Sequence, residues 1–154
     1  SEIETQINVN VNTIAHLTHR LISKMLLRKH RSGIINISST ATQLPVRTIS
    51  VYAGGKGFDD IFSRSLSEDC VGTKIDVVSC RPAIVATAGT NYTNDPMASS
   101  AESCAIGTLK ALGKVNITAG SFYHVVQNWF LQIIGESIAK KVGDFKIDGV
   151  GKNK

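Results

Sequence analysis

The chain has 154 residues, 42% of them hydrophobic and 19% charged, with a formal net charge of +5. A polypeptide of this size and balance folds as one globular domain burying roughly 70% of its unfolded surface, which excludes a disordered or collagen-like chain. The positive charge is scattered except for "RKHR" at 28–31 and a lysine-bearing tail from Lys140, read as a solvated helix end and a tail; no nucleic-acid module is present.

In chain order, residues 13–30 place Ile14, Leu17, Leu21, Met25 and Leu26 at helical spacing, with polar residues mostly between them, including His16 and His19, read as surface histidines. "GIINIS" (33–38) is a short β-branched apolar run, read as a strand buried on both faces. A loop with Pro45 leads to a helix over 50–70, its apolar side carrying Val51, Phe58, Ile61, Phe62, Ser65 and Leu66. Gly72 ends that helix and "KIDVVSC" (74–80) forms a second strand, stopped by Arg81 and Pro82. A helix-length spacer between two apolar strands implies a crossover and a parallel sheet. Residues 83–97 read as a polar loop, 98–112 as a helix opened by Ser99 or Ser100, 115–126 as a strand, and 125–142 as a helix with Trp129 and Phe130 on its apolar face. That last face can pack on the domain, on a second subunit or at a membrane surface.

Cys70, Cys80 and Cys104 are odd in number and widely spaced, suggesting neither a disulfide framework nor a metal site, and fitting a reducing intracellular compartment. The N-x-S/T triplets at Asn36, Asn91 and Asn116 are discounted, because Asn36 sits in a strand. The first ten residues show no signal peptide, and "VVQNWFLQII" (125–134) is too short and too interrupted for a membrane span.

One stretch carries chemistry. "SVYAGGKGF" (50–58) sets Tyr52 four residues before Lys56, on one helix face, where an ammonium favours the phenolate. Chemistry in a parallel α/β sheet gathers at the carboxyl ends of its strands, where "NISS" puts Ser38 and Ser39 and where Pro82 to Thr87 follow the next strand. Gly54, Gly55 and Gly57 weaken the helix; either something approaches its backbone closely, or the helix is simply loose.

"NISS", thirteen residues from Ser39 to Tyr52, Tyr-x-x-x-Lys and "RPAIVAT" together resemble the catalytic half of the short-chain dehydrogenase/reductase family. Within it the likeness is to the very-long-chain 3-oxoacyl-CoA reductase and 17-beta-hydroxysteroid dehydrogenase type 12 group, which shares a proline seven residues before the tyrosine, here Pro45. The resemblance spans residues 7 to about 90. It implies a partial Rossmann-like, doubly wound parallel sheet of α/β class over 1–142, followed by a basic tail over 143–154.

It also implies roles: Tyr52 as acid/base, Lys56 as its tuning partner and a ligand of the nicotinamide ribose, Ser39 on the carbonyl oxygen, and Asn10 on a water that links Lys56 to solvent. Pro82, Val85 and Thr87 would form the loop holding the carboxamide of NADP or NAD. Ala83 stands where the family usually has glycine, which puts the loop geometry in question. The substrate class implied is a 3-oxoacyl thioester or a steroid-like ketone; endoplasmic reticulum membrane and mitochondrion are both compatible locations.

No Gly-x-Gly-x-x-Gly turn follows a strand anywhere in the chain, so the family's dinucleotide-binding half is missing. Two classes therefore stand: an oxidoreductase seen in part, or a non-catalytic interaction subunit retaining half a reductase fold. In either case the exposed sheet edge needs a cover, from the missing half or from a protein partner. His124 in the late segment is a weaker substrate-contact candidate.

Overall fold

A computed structural model describes residues 1–43, 45–130 and 133. Helix α1 (Glu2–Ile7) passes through a π-helical turn (Asn8–Asn12) into α2 (Thr13–Leu26), so the chain is helical from its second residue, well before position 13. Strand β1 (Ser32–Ile37), a 3-10 turn (Thr40–Thr42), α3 (Ser50–Asp69) and β2 (Ile75–Cys80) follow. The two-residue strands β3 (Val85–Ala86) and β4 (Ser99–Ser100) pair with each other; α4 (Ala101–Ala111) and β5 (Ile117–Thr118) complete the order. Residues 122–130 are helical.

The main sheet has the order β1-β2-β5, all parallel, with β1 and β2 in register from Ser32 against Ile75 to Ile37 against Cys80. Alternation along β2 sorts the layers. Ile75 and Val77 face a cluster completed by Cys70, Leu66, Ile22 and Met25, so α2 and α3 cover one side. Asp76 and Cys80 face the other side, where Gly113 and Thr108 of the α4 region lie against them. Helices on both faces of a parallel sheet make the architecture doubly wound.

Several local readings change. In α2 the stripe used is Ile14, Thr18, Ile22 and Met25, whereas Leu17, Leu21 and Leu26 are exposed. In α3, Val51, Ile61 and Ser65 face outward and the fully buried residues are Gly55, Asp59, Asp60 and Ser63. β1 is not buried on both faces: it is an edge strand with Gly33 and Ile37 exposed. The strand read over 115–126 shrinks to Ile117–Thr118, because the β-branched pair Val125 and Val126 belongs to the helical segment. The helix read over 125–142 begins earlier, and most of 131–142 and the tail lie outside the described residues. The helix opened by Ser99 or Ser100 is capped by Ser100, whose Oγ accepts from Ser103 N at 3.1 Å.

Candidate active site

The carboxyl ends of β1 and β2 are joined across the sheet. Ser38 N donates to Cys80 O at 2.7 Å and Thr40 N to Pro82 O at 3.1 Å, which seats the turn after Ser39 beside the Pro82 loop. Helix α3 is tied to the same place from the other direction. Ser38 Oγ donates to Lys56 O at 2.7 Å, and Lys56 Nζ donates to Ile37 O at 2.7 Å. Buried Ser38 is therefore a clamp rather than a reacting group, and half-buried Ser39 is the hydroxyl left at the strand end.

Ser39 caps the 3-10 turn. Its Oγ accepts from Ala41 N at 3.1 Å, so one lone pair is used and the hydroxyl proton remains available. Tyr52 is half-buried in the first turn of α3, on the helix face it shares with Lys56, and is not sealed in the interior.

Lys56 has a partner that no sequence reading anticipated. Its ammonium lies 2.9 Å from Asp59 Oδ2, and the Asp59 side chain is 2% exposed with Oδ1 unpartnered. Burial raises the Asp59 carboxyl above its ordinary value, with the hydrogen bond and charge of Lys56 pulling the other way. The signal was in "KGFDD": residue i+3 of a helix reaches residue i. Beneath it lies a polar layer. Asn36 Nδ2 donates to Ser63 Oγ at 2.8 Å, Ser63 Oγ to Asp59 O at 2.5 Å, and Ser79 Oγ to Asp60 Oδ1 at 2.7 Å, with Arg81 Nε 3.5 Å from that carboxylate.

Asn10 sits in the π-helical turn, buried, its Nδ2 donating to Gln6 Oε1 at 3.0 Å. Such turns often mark functional positions. It packs against α3 at Gly55, where a Cβ would stand 2.9 Å from Asn10 Cβ. That answers why the helix accepts glycine there; Gly54 and Gly57 have nothing within 4 Å.

In the following loop, Pro82, Val85 and Thr87 are half-buried, Val85 in β3, with its carbonyl accepting from Thr90 Oγ1 at 2.8 Å. Ala83 fits: among the described residues the non-glycine ones with positive φ are Thr48, Asn91 and Tyr92, so the loop needs no glycine at 83. His124 is fully buried, with Nε2 3.1 Å from Ile84 O, and is no substrate contact. His16 and His19 are exposed. Among the described residues no cluster of metal ligands is found, and no helix is long and apolar enough to cross a membrane.

Fold and geometry together define a doubly wound α/β protein with a Tyr-x-x-x-Lys helix against the carboxyl ends of its strands. Residues 1–98 match the family model described as short chain dehydrogenase, and the chain belongs to that family. Among curated relatives, the very-long-chain 3-oxoacyl-CoA reductase-A of Danio rerio is 31% identical over 133 residues, 86% of this chain and 41% of its own. The 17-beta-hydroxysteroid dehydrogenase type 3 of Homo sapiens is 28% identical over 134 residues, 86% of this chain and 43% of its own. This chain thus spans less than half the length of either.

Solved structures share the fold. A 7beta-hydroxysteroid dehydrogenase superposes with a TM-score of 0.64 at 24% identity, covering 82% of this chain and 51% of that one. A 3-ketoacyl-(acyl-carrier-protein) reductase from Brucella melitensis, complexed with NADH, gives 0.65 at 20% identity, covering 77% and 52%.

Proposed function

We propose that this chain is the catalytic half of an NAD(P)H-dependent ketone reductase acting on a 3-oxoacyl thioester or a steroid-like ketone. The observation that carries the reading is the hydrogen-bonded junction at the strand ends: Thr40 to Pro82, Ser38 to Lys56 and Lys56 to Ile37. A strand-end hydroxyl, the helix bearing Tyr52 and Lys56 and the Pro82 loop tied together at one rim support this reading. The relatives that bear the names of an acyl-CoA reductase and a hydroxysteroid dehydrogenase support the substrate class.

The residues present fit the nicotinamide end of a dinucleotide. Lys56 uses two of its three N–H groups, on Ile37 O and Asp59, leaving one for a ribose hydroxyl. Pro82, Val85 and Thr87 line a loop that needs no left-handed residue at 83. When bound, the nicotinamide supplies the hydride.

This chain's own work is on the oxygen. Ser39 donates its free proton to the carbonyl oxygen and holds it as charge develops, a donor of the kind worth about 3 kcal/mol in a transition state. Tyr52 gives that oxygen its proton, and Lys56 keeps a positive charge on the same helix face. Asn10, with Nδ2 already committed to Gln6, retains its carbonyl oxygen to anchor the water that reaches Lys56. The pyrophosphate end, and the cover for the outer flank of β1, come from a preceding half.

The test is NADPH-dependent reduction of a 3-oxoacyl thioester by a polypeptide carrying these residues with a dinucleotide-binding half. Tyr52→Phe abolishes turnover with an unchanged melting temperature. Undiminished turnover in that variant rejects the assignment.

A further inference from the structure

Away from Tyr52 and Lys56, two cysteines converge on Gly120, Cys80 at the end of β2 and Cys104 on α4, with Thr108 one turn further along α4 against Cys80 and His124 beside Cys104. Gly120 has φ +80, and a Cβ there would come 2.6 Å from Cys104 Sγ and 3.2 Å from Cys80 Sγ. Both sulfurs therefore close on the same small space, which only a missing side chain leaves open.

The protons in this group can be assigned. Thr108 Oγ1 donates to Cys104 O at 2.8 Å, so its single proton is used; at 3.1 Å from the same oxygen, Cys80 Sγ is then the donor and keeps its hydrogen. His124 is fully buried with Nε2 3.1 Å from Ile84 O. A carbonyl only accepts, so Nε2 carries the ring proton and Nδ1 is the basic nitrogen, buried and without a hydrogen-bond partner.

Cys104 lies beside that ring, half-buried where Cys80 is wholly enclosed. Its thiol is pulled down to about 5, first by contact with Cys80 and then by His124, against the opposing effect of burial. Cys80 is pushed up by the same contact and by burial. A thiol biased toward ionisation on a half-buried residue, next to a fully enclosed thiol that keeps its proton, with an oriented imidazole at hand, is the arrangement of a nucleophile and its resolving partner.

We propose that Cys104 and Cys80 form a peroxide-reactive dithiol that closes reversibly to a disulfide. The Cys104 thiolate attacks the O–O bond of a hydroperoxide: an S–O bond forms, the O–O bond breaks, and the departing oxygen takes up a proton and leaves as water or an alcohol. Cys80 then attacks the resulting sulfenic sulfur; the S–S bond forms, the S–O bond breaks and water leaves. The two sulfurs supply the two electrons that reduce the peroxide. A dithiol reductant reverses the step. The oxidised form would fasten α4 to the strand that runs directly into Arg81 and Pro82.

Because Gly120 and His124 are packed, the deciding measurement uses the unaltered 154-residue chain with limiting hydrogen peroxide. Peptide mass spectrometry is expected to find Cys80 and Cys104 joined, lighter by two hydrogens and restored by dithiothreitol, with Cys70 still reduced. Cys80→Ser should leave a sulfenic acid at Cys104 that dimedone traps. Oxidation of Cys70 as fast as Cys104, or a Cys104 rate in the folded chain no greater than in urea, overturns the proposal.

Discussion

Lys56 and Asp59 form an ion pair one turn apart on α3, Nζ 2.9 Å from Oδ2, on the helix face turned toward the sheet. Lys56 is therefore held from two directions, by a strand-end carbonyl and by a buried carboxylate. Its pose is set before any ligand arrives.

The carboxylate makes that arrangement pH-sensitive in a definite direction. Burial raises Asp59 above its ordinary 3.8, so between 3.8 and the raised value the folded chain binds more protons than the unfolded one, and stability falls as pH rises through that window. Asp59→Asn removes this titration. Denaturant midpoints of wild type and variant, compared from neutral pH downward, should shift in favour of the wild type as acid protonates Asp59 and should run parallel above the window. A gap moving the opposite way would assign the shift to another group.

Gly55 and Gly54 should respond oppositely to alanine. At 55 the new Cβ meets Asn10 Cβ at 2.9 Å, and the overpacking costs about 1–3 kcal/mol, exceeding the helix-propensity gain of up to about 1 kcal/mol. At 54 nothing stands within 4 Å, so only the gain remains. Urea unfolding of the two variants checks the sign of each.

The adjacent serines separate structure from chemistry. Ser38→Ala deletes the bond to Lys56 O and costs about 1 kcal/mol of stability. Ser39→Ala loses only the short cap on Ala41, yet in a complete enzyme it should lower kcat by about two orders of magnitude. Thermal melts and steady-state kinetics on the pair measure both effects.

The isolated 154-residue polypeptide should give no detectable heat with NADP(H) in calorimetry, because the glycine turn and helix amino terminus that hold a pyrophosphate are not among its residues. Tight binding would mean that the Pro82 to Thr87 loop and Lys56 suffice.

The parallel β-α-β core was legible because α3 and β2 follow strong patterns ended by Gly72 and Pro82. The buried faces of the helices were not. In α2, Leu17 and Leu21 compete with Thr18 and Ile22 for the core, and hydrophobicity alone cannot choose between stripes one residue apart. In α3 the inward residues are glycine, aspartates and serine, a buried polar layer that an apolar periodicity passes over. Ser39, Tyr52, Lys56 and the Pro82 loop could be named from a family pattern because it runs through consecutive strand ends and one helix turn, which lie close along the chain. Asp59 escaped notice because an acidic residue on a helix ordinarily faces solvent, and the clamp that Ser38 makes on Lys56 O depends on a tertiary contact that a motif, recording only spacing, does not show.

Strand β1 ends the sheet on one side among the described residues, with Gly33 and Ile37 open to solvent. Produced by itself, such a polypeptide would offer a free backbone ladder to any extended segment, including the same strand of another copy. Its handling in solution is then governed by concentration: dilute samples should stay dispersed, and a lysine in place of exposed Ile37, which discourages edge-to-edge addition, should extend the range over which they do.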